Sequence, residues 1–222
     1  MHPHAETLWR GPRWTLAILL AVLGMLGPFS IDTYLPAFSG IASSLNASPV
    51  HMQQTLSAYL FGFAFMNLFH GALADSFGRR PVILWGLMAF TLASLGCALA
   101  QNVTQLIVFR AMQGLSCGAG VVVSRAIVRD IFPPTQAQKV MSQITIFFGL
   151  APAIAPIMGG WLFVSLGWHS IFWLLTAIGL ALWAVNFKML PESLHASQRQ
   201  PFSIPHLMRG YWQLCTDPRF LL

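Results

Sequence analysis

Two ionisable side chains lie in long apolar segments of this sequence, and their types are suited to proton chemistry. Asp32 lies in the first apolar segment, shortly before Pro36, and Arg110 lies several residues inside the fourth. A charged side chain at the centre of a membrane helix costs about 2.5–3.5 kcal/mol on insertion scales, so such residues usually face a protein interior and carry function. Burial favours the neutral form of a carboxylic acid, whereas a nearby cation favours the charged form. The pair therefore predicts a proton switch in which protonation and substrate binding compete for Asp32.

Simpler roles remain open for these residues. Asp32 could be solvated near the membrane surface, and Arg110 could be held by buried hydrogen bonds alone. A substrate surface also needs apolar and aromatic groups beside a few polar ones. Core packing or lipid contact is the simpler explanation for each candidate of this kind. The candidate substrate-binding residues are Tyr34, Tyr59, Asn67, Gln113 and Met141.

The segments that must position these residues have the composition of membrane helices. The 222-residue chain has 56% hydrophobic and 8% charged residues, whereas soluble domains carry about 25% charged residues. No Asp, Glu, Lys or Arg occurs within residues 33–74, 81–109 or 140–187, and a membrane-spanning helix needs about 20 residues. The composition therefore excludes a cytosolic enzyme and a disulfide-framed secreted domain, and it predicts an integral membrane protein.

Six helical spans fit the hydropathy pattern. The apolar runs lack the period-2 alternation of barrel strands. Arg10 and Arg13 precede the first run as in a signal peptide, but no small-x-small cleavage site follows, so an uncleaved first helix is predicted. The predicted spans lie near Trp14–Phe38, Met52–Ala74, Pro81–Ala100, Gln105–Val128, Met141–Leu166 and Trp168–Leu190.

The basic residues predict the orientation, because Lys and Arg are in excess on the cytoplasmic side. With alternating crossings, one side holds Arg10, Arg13, Arg79, Arg80, Arg129, Lys139, Arg199, Arg209 and Arg219. The opposite loops, at 39–51, 101–104 and Gly167, hold no basic residue. Both ends are therefore predicted to be cytoplasmic. Since most of the basic residues flank the spans rather than form one patch, nucleic acid is not an expected partner.

The turn between the second and third spans carries a motif, G-A-L-A-D-S-F-G-R-R-P. Gly71 is predicted to permit close helix approach, Gly78 to adopt a positive φ and Asp75 to face a helix N-terminus. The two arginines are expected to stay in water or among anionic headgroups. The motif resembles the cytoplasmic loop signature of the major facilitator superfamily, which implies a cytoplasmic gate. The gate residues are Gly71, Asp75, Gly78, Arg79 and Arg80.

Two further segments resemble motifs of the same superfamily. R-A-M-Q-G, beginning at Arg110, is similar to the fourth-helix motif R-x-x-q-G, whose arginine is associated with proton transfer and substrate handling. The run A-P-A-I-A-P-I-M-G-G repeats small residues every fourth position, which allows close helix packing, and its two prolines loosen the backbone. It resembles the fifth-helix signature of drug antiporters, with alanines in place of two glycines. Its residues are Ala151, Pro152, Ala155, Pro156, Gly159 and Gly160.

A narrower resemblance is to the Bcr/CflA subfamily of drug exporters. D-T-Y-L-P-A, beginning at Asp32, is similar to its D-x-Y-L-P-A segment, and V-R-D and P-E-S fall at 128–130 and 191–193, as in that subfamily. The resemblance implies proton-driven efflux from the bacterial cytoplasm of compounds such as bicyclomycin, sulfonamides or phenicols, with no cofactor besides the proton gradient. Some related exporters carry a second acidic residue about two turns before Asp32. Gly24 occupies that position here.

The expected architecture is an all-α integral membrane protein of the bacterial inner membrane. Residues 1–190 would form the six-helix N-terminal half of a major facilitator fold, a three-plus-three inverted repeat. Residues 191–222 would form the central cytoplasmic loop, with Phe220 to Leu222 as the start of a seventh helix. The expected partners are drug-like molecules, protons, membrane lipids and a C-terminal six-helix half. A transport-inactive truncated half and a metabolite exporter of the same fold remain open. A six-span membrane enzyme is disfavoured, because no Gly-x-Ser-Gly, paired membrane aspartates or His-Glu-x-x-His occurs.

Overall fold

Six long helices pack together in the computed structural model, which describes residues 12–216. Within these residues all regular structure is helical, including short 3₁₀ turns at Leu35–Ala37 and Ala196–Gln198. The helices are α1 (Arg13–Asp32), α2 (Phe38–Ser44), α3 (Pro49–Phe77), α4 (Arg79–Ala98), α5 (Val103–Ile131), α6 (Pro134–Leu166), α7 (His169–Met189) and α8 (Ile204–Thr216). Spans 1 to 6 are α1, α3, α4, α5, α6 and α7, and each lies in a stretch that is long and apolar enough to cross a membrane.

Local sequence determines where the spans begin and turn. The side chains of Ser48 and Asn102 accept hydrogen bonds from backbone amides of the first turns of spans 2 and 4, as N-cap residues do. Spans 2 and 3 are separated by Gly78 alone, whose φ of 107° is strained for any side chain with a Cβ. The prediction of a positive φ at Gly78 is confirmed.

Two boundaries and one additional helix differ from the sequence prediction. Span 1 ends at Asp32 because the chain then turns into the 3₁₀ segment that contains Pro36. Span 5 begins at Pro134 rather than Met141, since proline is suited to the first helical turn and the following residues are good helix formers. The linker contains the unpredicted helix α8. The proposed start of a seventh helix at Phe220 lies outside the described residues.

Span 4 is the central helix of the bundle. It packs against spans 1, 2 and 3, while span 5 packs mainly on span 1 and span 6 on span 3. A Cβ atom at Gly114 of span 4 would overlap the backbone carbonyl of Tyr59 in span 2. Glycine at this position therefore lets the two backbones approach closely, as in other membrane helix pairs.

The outer faces of the spans are apolar. Large hydrophobic side chains remain exposed on spans 3, 5 and 6, among them Trp85, Trp161 and Trp173. A monomeric soluble protein rarely exposes such a continuous apolar surface. The hydrophobic exterior is the surface that a lipid bilayer would cover.

Candidate functional site

Arg110 is the largest side chain that is fully buried in the described bundle, with none of its surface exposed. Its guanidinium lies between two aromatic rings, with Cζ 4.5 Å from the ring centre of Tyr34 and 4.3 Å from that of Tyr59. Its Nη1 donates to Gln113 Oε1 at 2.7 Å and to the Ser30 carbonyl at 3.4 Å. The charge is therefore stabilised by ring faces and neutral dipoles.

Hydroxyl groups hold both aromatic rings in place. The Tyr34 hydroxyl lies 2.6 Å from Thr55 Oγ1, which joins span 2 to the end of span 1. The Tyr59 hydroxyl lies 2.7 Å from Ser30 Oγ and 3.0 Å from Cys117 Sγ. Because each phenol has a polar partner, both rings can be buried completely. Three of the residues predicted to bind substrate, Tyr34, Tyr59 and Gln113, thus contact Arg110 and form one buried cluster.

Asp32 lies two residues before Tyr34 in the sequence, but its side chain is less buried than those of the cluster. It is the last residue of span 1, and its side chain is partly exposed. Within residues 12–216 the structure records no ion pair between Asp32 and Arg110. Arg110 also retains two nitrogens, Nε and Nη2, for which the described residues supply no hydrogen-bond acceptor.

The remaining predicted substrate contacts lie elsewhere. Asn67 lines a cavity of about 390 Å³ together with the gate residues Gly71 and Asp75, about 12 Å along span 2 from Tyr59 at 1.5 Å per residue. Met141 packs against the hydrophobic core from span 5. The buried His70, in span 2, was not predicted. It lines a separate cavity of about 360 Å³. The one feature of the sequence that could have indicated it is that histidine is an ionisable residue inside an apolar segment.

The predicted gate is an ion-pair cluster at one end of the bundle, here called the basic end because Arg79, Arg80 and Arg129 lie there. Arg79 Nε donates to Asp130 Oδ2 at 3.1 Å, and Arg79 Nη1 pairs with Asp75. Only 7% of Arg79 is exposed, so the prediction that it stays in water or among anionic headgroups is wrong. Two carboxylates from spans 2 and 4 compensate its charge and permit its burial.

The helix N-terminus at this end is capped by a residue from the linker. Glu192 accepts hydrogen bonds from the backbone amides of Arg79 at 2.9 Å and Arg80 at 3.3 Å, and Ser193 Oγ donates to Asp130 at 2.9 Å. A carboxylate at a helix N-terminus satisfies free amides and interacts favourably with the helix dipole. Glu192 thus caps this helix end, and Asp75 pairs with the side chain of Arg79 in its first turn.

The structure also tests the predictions made for Arg80 and Gly71 of the gate. Arg80 donates to the Phe187 carbonyl at 2.6 Å and lies over that aromatic ring, so it is bound to span 6. A Cβ at Gly71 would lie 3.8 Å from Val122, which is an ordinary contact distance. The prediction that Gly71 permits a close helix approach is therefore wrong for this arrangement of the helices.

We expect Arg79→Gln to lower the thermal stability of the protein in detergent. The change leaves Asp75 and Asp130 without their shared cation. Hydrogen bonds to charged groups contribute about 1.5–3 kcal/mol, and because Asp75 is nearly half exposed we expect a net loss of about 1–2 kcal/mol. Arg129→Gln is the matched control, since Arg129 is exposed at the same end. Equal unfolding temperatures for the two variants would contradict a stabilising role for the Arg79 pairs.

The small-residue run of span 5 packs against span 1. Ala151, Ala155 and Gly159 are buried, and a Cβ at Gly159 would overlap the Thr33 carbonyl. The predicted close-packing face is confirmed. Pro152 and Pro156 lie within the helix, which continues past both of them to Leu166. Gly160, beside this face, approaches Pro36.

Comparison with known proteins finds similar sequences. The model of the Major Facilitator Superfamily matches residues 10–222. The bicyclomycin resistance protein homolog of Haemophilus influenzae is 40% identical over 194 residues, which cover 87% of this chain and 49% of that protein. The multidrug resistance protein MdtL of Escherichia coli is 36% identical over 175 residues, which cover 79% of this chain and 45% of that protein.

A solved structure shares the fold. The bacterial homologue of the human lysosomal transporter Spinster, in an inward-facing and unoccupied conformation, superimposes with a TM-score of 0.72 at 15% identity. That match covers the whole of this chain and 51% of the solved one. The chain thus spans about half the length of the curated relatives and of the structure that it matches.

Proposed function

The chain belongs to the major facilitator superfamily, a family of transporters rather than enzymes, and from this premise we propose that it serves in proton-coupled efflux of drug-like molecules. One observation carries the proposal. A permanently charged side chain, Arg110, is fully buried among membrane helices in a chain similar to a bicyclomycin resistance homologue and a multidrug resistance protein. Such a charge is costly inside a membrane, so its retention favours a functional role.

In the proposed mechanism, Asp32 is the proton-carrying group and Arg110 is the fixed charge near it. Asp32 binds one proton from the outer side, and its carboxylate becomes neutral. When the proton leaves toward the cytoplasm, the carboxylate regains its charge and becomes available to substrate. Proton and substrate therefore exclude each other at one group, which is the requirement for exchange transport.

The orientation and the gate follow from the distribution of charge. The basic end is proposed to face the cytoplasm, because positively charged loops remain on that side of the bacterial inner membrane. The pairs of the buried Arg79 with Asp75 and Asp130 would then close that end in one state and loosen in the other. Both ends of the chain would be cytoplasmic.

A second six-helix half is the proposed partner of this chain. Transporters of this fold bind substrate between two halves and move by rocking one half against the other. The chain spans about half the length of its relatives, so residues 1–190 would supply the N-terminal half and residues 191–222 the connection. Production of this chain with and without a C-terminal half tests the requirement: efflux only from the pair supports it, and efflux from this chain alone contradicts it.

Asp32→Asn tests the proton-coupling proposal directly. The amide cannot carry a proton between the two sides, so we expect the complete transporter to lose bicyclomycin uptake driven by an imposed pH gradient in inverted membrane vesicles. Asp32→Glu keeps the carboxyl group and is expected to retain part of the activity. Gradient-driven uptake by the asparagine variant at the rate of the unaltered protein would overturn the assignment.

A further inference from the structure

We infer that Ser94 of span 3 is a positioning residue that fixes the orientation of Arg110 through Gln113. The inference rests on the proposed proton coupling, since the role of Arg110 is part of that proposal. Ser94 belongs to none of the sequence motifs, and it lies in a different span from Arg110. All three side chains are completely buried, so water cannot replace a missing contact among them.

The donor and the acceptor are determined for each of the three hydrogen bonds that join Arg110, Gln113, Ser94 and the Phe90 carbonyl. A guanidinium can only donate, so the Gln113 atom 2.7 Å from Arg110 Nη1 is the carbonyl oxygen Oε1. The amide nitrogen Nε2 must then point away from Arg110, and it lies 2.7 Å from Ser94 Oγ. Because the amide nitrogen donates, Ser94 accepts, and its own proton is donated to the Phe90 carbonyl at 2.7 Å.

The consequence is a fixed amide orientation. If Gln113 were rotated by half a turn about its last bond, its NH₂ group would face the guanidinium and its oxygen would face Ser94. Two donors would then meet at Arg110. Ser94 instead keeps Gln113 Oε1 directed to Arg110. The Ser94 hydroxyl donates its proton to the Phe90 carbonyl, so its lone pairs are free to accept from Gln113 Nε2.

The other contacts of Arg110 orient it less strictly. The rings of Tyr34 and Tyr59 attract the cation through their faces and allow it to rotate in their plane. The bond to the Ser30 carbonyl is long, at 3.4 Å. The titratable groups that face Arg110 are these two phenols and the thiols of Cys97 and Cys117. Among the described residues, Gln113 therefore provides the short directional contact.

The test is the pH profile of bicyclomycin transport by the complete transporter in proteoliposomes. We expect Ser94→Ala to lower the transport rate roughly tenfold, as for one lost buried hydrogen bond. We also expect it to move the midpoint of the profile, the pH at which the rate is half-maximal, by roughly half a pH unit or more. Gln113→Ala should have the same two effects. The double variant should add little to either change, because both substitutions interrupt one chain of contacts.

Thr91→Val is the matched control for Ser94→Ala. Thr91 lies nearly one turn earlier in span 3 and is also buried, and its hydroxyl donates to the carbonyl of Leu87 as Ser94 does to Phe90. It has no bond to Gln113. We expect the valine variant to keep the midpoint of the unaltered transporter, and we expect Ser94→Thr, which retains the hydroxyl, to restore it.

The possible failures can be told apart. If the unaltered transporter shows no dependence on an imposed pH gradient, the proposed function fails. If it shows that dependence and Ser94→Ala keeps its midpoint, the positioning role of Ser94 is wrong. Equal shifts for Ser94→Ala and Thr91→Val also contradict it, because they assign the effect to any lost hydroxyl of span 3. Should Ser94→Ala fail to fold, Gln113→Ala decides by the same measurement, and an unchanged midpoint again overturns the inference.

Discussion

Replacing Arg110 with methionine is expected to abolish the proposed gradient-driven transport of the complete transporter while the protein still folds. Methionine fills a similar volume and needs no hydrogen-bond partner. Replacing a buried ion pair by apolar residues can stabilise a protein by about 1–4 kcal/mol, and we take this range as the upper limit of the gain from removing the Arg110 charge. Each lost contact with a tyrosine ring costs about 2 kcal/mol when desolvated. Two lost ring contacts amount to about 4 kcal/mol against a gain of about 1–4 kcal/mol, so we expect a net loss of stability of at most about 3 kcal/mol.

Two measurements on the same purified variant check this expectation. The variant should still unfold cooperatively in detergent, at most at a moderately lower temperature, while bicyclomycin transport by the complete transporter should fall to the level of empty vesicles. Arg110→Lys is the informative companion, because lysine keeps the charge but lacks the planar fork that stacks between two rings. We expect it to lose transport as well. A methionine variant that transports normally would show that the buried charge has no role in coupling.

The second large effect is expected at Gly159 of span 5. An added Cβ would overlap the backbone of Thr33, so Gly159→Ala must push spans 1 and 5 apart. Overpacking of this kind typically costs about 1–3 kcal/mol. Since Thr33 directly follows Asp32, the displacement also reaches the proposed proton-carrying group. We therefore expect both a lower unfolding temperature and slower transport.

Gly149 provides a control within the same helix. Nothing lies within 4 Å of the position that its Cβ would occupy, so the same substitution meets no obstacle there. Alanine is favoured over glycine inside a helix by about 0.5–1 kcal/mol, and Gly149→Ala should therefore stabilise the protein slightly. The two substitutions should change the unfolding temperature in opposite directions. Changes of equal sign and size would contradict the close contact between spans 1 and 5.

Much of the architecture follows from patterns along the chain. Long tracts without charge predict the six spans, and the structure contains six suitable helices. The spacing of small residues in span 5 predicts a packing face, and Ala151, Ala155 and Gly159 are buried as expected. Arg110 stands out because a charge inside an apolar segment needs an explanation. These features are local, so the sequence alone is enough to find them.

The contacts that were missed join residues far apart in sequence. Ser94 is one of several small polar residues in span 3, and no pattern shows that it faces Gln113. Glu192 is part of a linker motif, but its target at Arg79 lies more than a hundred positions away. The burial of Arg79 depends on Asp130, which span 4 brings to it. Periodicity indicates which face of a helix is buried, but not which residue of another helix it meets.

The capping of span 3 by Glu192 also shortens the free length of the linker that follows span 6, which acts as a tether for α8. The linker is held at Glu192 and Ser193 and again at Gln200, whose amide donates to the Asp75 carbonyl at 3.1 Å. About ten residues that would otherwise be slack are therefore fixed to the bundle. A shorter tether raises the effective concentration of α8, and of any segment joined to it, at the basic end. Loosening Glu192 would thus lower the effective concentration of α8 at the basic end.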